Sequence, residues 1–158
     1  MDFRKIILLI FLSSYLTVGY CQIVDQNFTI TCLGSGKNQS QLVKVFTFGT
    51  NVKKVTIKAK RQSVYSVIFS GVKGNSCISQ GLCSMETLET KESFFKTFFS
   101  SKKFLEFVKI AGDGSISSKD RLKIGRKTQL GIRLVVNRTK LQEYLINNKI
   151  IKKLGDGL

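Results

Sequence analysis

Most of what this chain can become is decided between Leu42 and Val72, LVKVFTFGTNVKKVTIKAKRQSVYSVIFSGV. Val43, Val45 and Thr47 alternate as a strand does, and Gly49-Thr50 supplies the exit. Val52, Val55 and Ala59 then recur at helical spacing, which predicts a helix from about 51 to 63. Lys53, Lys54, Lys58, Lys60 and Arg61 surround that apolar stripe. The run VYSVIF is β-branched and aromatic and stops at Gly71, so it is expected to be a second strand. The competing possibility is continuous strand, because VTIKA also alternates. The helix is preferred: an antiparallel meander would need a turn near Arg61, where there is no Gly, Asn or Pro.

The first 21 residues have the layout of a secretory signal. Arg4 and Lys5 precede the apolar run Ile6 to Leu16, and the more polar TVGYC follows. The run is short for a membrane span. Cleavage is open between Gly19 and Cys21, and lipidation of Cys21 is a third outcome that the bulky Tyr20 disfavours. Residues 22–158 are expected to form one domain with one core.

The chain carries a net charge of +16. No Asp or Glu falls between Asp25 and Glu86, or between Asp120 and Glu143. Such a surface attracts anionic partners: an envelope protein, anionic lipid or acidic glycan. Export makes nucleic acid an unexpected physiological partner. The basic helix face of Lys53, Lys54, Lys58, Lys60 and Arg61 is the expected docking surface. A solvated, lysine-biased exterior is the plainer explanation of the same residues.

An exported chain can form disulfides. Cys77 and Cys83 bracket ISQGL in one loop, so a local bridge between them is the first expectation, with a bridge from Cys32 to either as the alternative. One cysteine is left over in both cases: buried, paired with another chain, or paired with Cys21. There is no histidine and no CxxC pair, which argues against a metal site.

The remaining segments complete the order. Residues 27–33 alternate as a first strand. The glycines of GSGKNQSQ fit neither phosphate-loop spacing. Asn27, Asn38 and Asn137 open formal glycosylation sequons. Helical pattern returns at Glu86, where Phe94 with Phe98 and Phe95 with Phe99 sit four apart. A chain without tryptophan needs these rings for its core. Ser100-Ser101 either ends that helix or lies within it. In AGDGSISSKD, Asp113, Gly114 and Asp120 match half of a calcium loop. The first two ligand positions would fall on Lys109 and Ala111, so a polar turn is expected instead. Arg121 to Val136 reads as a hairpin turning at Gly125, and Asn137, or alternatively Thr139, caps a closing helix through Leu141, Tyr144 and Leu145. The sum is an α+β domain: a mixed sheet containing a β-α-β unit, with helices packed against it.

Without histidine, Ser-His-Asp and Cys-His catalysis are excluded. A Cys-Lys or Ser-Lys nucleophile stays open, since folding joins distant residues, but no spacing selects one. No cofactor motif is present. The leading expectation is a non-catalytic binding or structural domain of the cell envelope or periplasm. The alternatives are a secreted enzyme acting on an anionic substrate and a secreted basic effector acting on membranes.

KVFTFG, KAKRQSVYSVIFSGVKGN, ESFFKTFF and DRLKIG…GIRLVVNRTKLQEYL together resemble a group of exported, functionally uncharacterised proteins of Bacteroidota bacteria. The likeness covers most of residues 42–147. It implies a small periplasmic or outer-membrane-associated domain and transfers no catalytic role to Lys58, Ser70 or any other position. The Lys/Ala-rich helix is also similar to helices in small α/β domains of bacterial envelope and flagellar accessory proteins. This chain has fewer alanines than those.

Overall fold

The computed structural model describes residues 23–152. The expected signal segment and its cleavage site lie outside the described residues. Among the described residues five strands form one sheet: β1 (Phe28–Ser35), β2 (Gln41–Gly49), β3 (Val108–Ile110), β4 (Arg121–Ile124) and β5 (Lys127–Val136). Four helices accompany it: α1 (Val52–Tyr65), α2 (Met85–Thr90), α3 (Glu92–Ser100) and α4 (Arg138–Asn147). The α+β expectation holds, with helices packed against a sheet.

β2 lies between β1 and β5 and is antiparallel to both. The far edge of β5 is shared end to end: β3 pairs with 134–136 and β4 with 127–130. Every hydrogen-bonded pair of strands is therefore antiparallel. β2 and β3, both antiparallel to β5, run parallel to each other with β5 between them. The β-α-β unit is thus present in split form, and its closing strand is β3.

The segment expected to close that unit is helical. α1 runs to Tyr65, and residues 66–70 continue it as a π-type turn that ends at Gly71. VYSVIF has no strand position to take, because both edges of β2 are already paired and β5 follows it through nine residue pairs. Residues 62–69 are buried without a break. Burial on all sides imposes neither a period of two nor one of 3.6, so a short apolar run does not reveal its own secondary structure.

The buried helix lies between two apolar surfaces. Val43, Val45, Leu130, Ile132 and Leu134 line the facing side of the sheet. Gly49 at the end of β2 comes so near α1 that a Cβ there would sit 2.4 Å from Val55 Cγ2. On the other side are the phenylalanines of α3 and of the tight turn Lys103–Phe107. Phe69 meets Phe95 edge to face at 4.9 Å, and Phe99 meets Tyr65 and Phe104. Ser100 ends α3, and the chain reverses at Lys102 in a left-handed conformation, φ 64°. Phe95, Phe98, Phe99, Phe104 and Phe107 are all buried, as core packing demands.

A helix that ends inside a core leaves carbonyls needing donors. Here the loop from 71 to 83 returns over the helix end. Leu82 N donates to Val67 O and Cys83 N to Ile68 O at 2.7 Å, with a longer bond from Arg138 Nη1 to Val67 O. Gly81 permits this approach, since a Cβ there would fall 2.3 Å from Phe69 O.

The disulfide joins Cys32 to Cys77, with Cα atoms 5.9 Å apart. The expected Cys77–Cys83 bridge is not formed. Cys83 is held at the helix end by its own amide and is a buried free thiol, its pKa pushed up to about 11 by burial. Cys77 is instead brought to β1, where Gly74 packs directly on Cys32. The bridge fastens the capping loop to the sheet. Asn51, Ser84 and Asn137 cap α1, α2 and α4 through side-chain oxygens, as local sequence dictates.

Non-reducing peptide mapping should recover Cys32 linked to Cys77, with Cys83 alkylated only after denaturation. Replacing both bridged cysteines by serine should cost roughly 2–5 kcal/mol in urea unfolding, because the cross-link closes a long loop. Gly81→Ala should cost about 1–3 kcal/mol, since the clash is with backbone that also carries hydrogen bonds.

Candidate anion-binding surface

The five basic residues expected to form one docking face of α1 do not act together. Lys53 and Lys54 are exposed on the first turn, beside the Asn51 cap. Lys60 is half-buried. Lys58 turns toward the protein: its Nζ is 2.7 Å from Asp25 Oδ2 and 3.3 Å from Phe48 O. Arg61 also has an internal task. Its Nη2 donates to Phe99 O at 2.8 Å, and its guanidinium lies over the Phe104 ring at 5.5 Å. It ties α1 to the end of α3. Hydrogen bonds from Lys58 and from the Asn27 amide hold Asp25 below the usual carboxylate range.

A denser group of cations lies elsewhere. Lys119, Arg121, Lys123, Arg126 and Lys127 fall within nine residues, and all are exposed. They line the β4–β5 hairpin and its approach. The hairpin turns through two residues, Gly125 at φ 58° and Arg126, a glycine-first pattern that suits the twist of paired strands. The carboxylate within the run does not neutralise its neighbours. Asp120 pairs with Lys44 on β2 at 2.8 Å and packs over Gly131. Asp113 accepts the Ser115 amide, so the two carboxylates of the half calcium motif are used separately.

The register sorts the hairpin by face. Arg121 and Lys123 stand opposite Leu130 and Thr128, on the side of the sheet that carries α1. Arg121, Thr128, Leu130, Val52 and Val55 border a shallow hollow of about 80 Å³ where the hairpin meets the start of α1. The fold therefore sets a basic strand beside the first turn that holds Lys53 and Lys54. A wider groove of about 330 Å³ lies beside β3, where Lys109, Lys140 and Glu106 mix both signs of charge.

Arg121, Lys123, Arg126 and Lys127 were legible only as part of an acid-free run. Nothing in that run says that Arg121 and Lys123 stand on an exposed edge strand, or that Arg121 borders a hollow with a helix some seventy residues earlier in the chain.

No protein-family model, characterised protein or solved structure matches this chain, so its function has to be argued from its own residues. Arg61→Gln should cost about 1–3 kcal/mol in urea unfolding, through the lost bond to a buried carbonyl and the lost ring contact. Lys53→Gln and Lys54→Gln should each stay within about 0.5 kcal/mol. The solvent-open Asp25–Lys58 pair should add less than about 1 kcal/mol. That contribution is present at neutral pH and fades as the pH falls through the lowered pKa of folded Asp25, which Asp25→Asn should abolish.

Proposed function

We propose that this protein is an exported, non-catalytic binding domain of the cell envelope or periplasm, and that its β4–β5 hairpin and the adjoining first turn of α1 hold an anionic partner. The observation that carries this reading is the concentration of exposed cations at Lys119, Arg121, Lys123, Arg126 and Lys127, where the one intervening carboxylate is committed to Lys44. Elsewhere the carboxylates of Glu92 and Glu106 pair within their own turns, with Lys96 and Lys103. A surface of one sign raises the local concentration of oppositely charged ligands and steers their approach. The disulfide is in keeping with an oxidising compartment.

Immobilised heparin is the simplest polyanion probe. The protein should be retained and should elute with salt, since exposed charges act over about one Debye length. The variant R121Q/K123Q/R126Q/K127Q should elute at distinctly lower salt. A second variant, K37Q/K73Q/K91Q/K152Q, loses the same charge from other places and should elute close to the wild type. Equal shifts for both variants would leave net charge as the whole cause, and the hairpin site would be wrong.

A further inference from the structure

Two large aliphatic side chains stand in water in the middle of this basic hairpin. Leu122 is 57 % exposed and Ile124 is 51 % exposed. They alternate with Arg121 and Lys123, so they lie on the opposite face of β4, turned away from α1. The register extends that face. Leu122 stands opposite Gln129 and Ile124 opposite Lys127. Across β5, Phe48 stands opposite Gln129, Phe46 opposite Gly131, and Lys44 opposite Arg133. Phe46 and Phe48 are only partly covered. The outer face of the sheet is thus an aliphatic and aromatic strip with Lys127 and Arg133 along it and the Lys44–Asp120 pair across it, ending at a tip that carries Arg126.

We propose that the anionic partner is a lipid bilayer surface, which the hairpin meets edge-on: Leu122 and Ile124 enter it from the outer face, while Arg121 and Lys123 on the other face, with Arg126 and Lys127, bind the headgroup phosphates. The inference rests on the basic-surface reading and names the ligand of that surface. Three observations select this occupant. The first is charge: the strip and its tip are basic, and anionic leaflets attract clustered Lys and Arg. The second is the aliphatic pair. A hydrated polyanion would leave Leu122 and Ile124 in water, whereas the boundary between headgroups and acyl chains takes up both the alkyl groups and the stems of neighbouring lysines. The third argues against edge-to-edge pairing with a second copy of the chain. β4 is an edge strand, and pairing two such edges would bring Arg121 and Lys123 against their own copies. Among the described residues no helix is long and apolar enough to cross a membrane.

The test is co-sedimentation of the disulfide-bonded protein with vesicles of phosphatidylcholine, alone or mixed with phosphatidylglycerol. Heparin elution is measured on the same samples. The wild type should bind the mixed vesicles and leave pure phosphatidylcholine. L122S/I124S changes side chains that lie outside the core and should fold normally. Its binding to mixed vesicles should fall on the order of tenfold or more, with heparin elution unchanged. R121Q/K123Q/R126Q/K127Q should lose both. If L122S/I124S binds vesicles like the wild type, the apolar entry is refuted. If heparin retention depends on the hairpin cations but no vesicle binds, the lipid assignment fails and the basic surface stands. If heparin retention ignores those cations, the underlying reading fails. A wild-type dimer that L122S/I124S converts to monomer would show that a second copy covers the strip, against the proposal.

Discussion

The carbonyls at the inner end of α1 set the terms for the rest of this fold. A helix that stops inside a core must find donors there, because an unpaired buried carbonyl costs a large part of a small protein's net stability. Val67 O and Ile68 O find them in the amides of Leu82 and Cys83. The capping loop is consequently a part of the core. Its glycines are there for close approach, at Gly81 against Phe69 and at Gly71 against Ser79. The Cys32–Cys77 bridge then anchors the same loop to β1. One constraint therefore connects the sheet, the central helix and the loop, and the thiol of Cys83 is sealed in as a consequence.

The basic residues divide between structural and exposed duties. Arg61 and Lys58 bond to backbone carbonyls of α3 and β2, and Lys44 holds Asp120 over the sheet. These are cations that the fold uses to fasten its parts. Among the described residues the hairpin cations have no such internal bond to serve, and β4, which bears Arg121 and Lys123, contributes no side chain to the core. An edge strand of that kind resists pairing with other strands through its charges. The same charges favour an anionic surface, so protection against aggregation and recognition of a partner can reside in the same side chains.

Local chemistry was readable in the longer elements that keep one face wet, though not at the short strand β3. The alternation of β2 and β5, the helical stripe of Val55 and Ala59, the hairpin at Gly125 and the Asn137 cap all follow from patterns a few residues long. The pattern failed at VYSVIF, where both faces are dry and burial erases the period that distinguishes strand from helix. It failed again at the disulfide. Spacing of Cys77 and Cys83 suggested proximity, but the amide of Cys83 was already committed to the helix end. The candidate site was half legible: the acid-free basic run could be seen, but its place on an exposed edge could not.

Composition and periodicity alone determined that this is a strongly basic α+β chain without histidine chemistry, with an aromatic core, and with most of its element boundaries in place. Those properties depend on side chains and their near neighbours. Only the tertiary structure decided that β5 inserts between β2 and β3, that the central segment stays helical to residue 70, that Cys32 is the partner of Cys77, and which cations are left facing solvent. Each of these depends on competition between segments far apart in the chain for one strand edge, one carbonyl or one counter-ion, and nothing local records who wins.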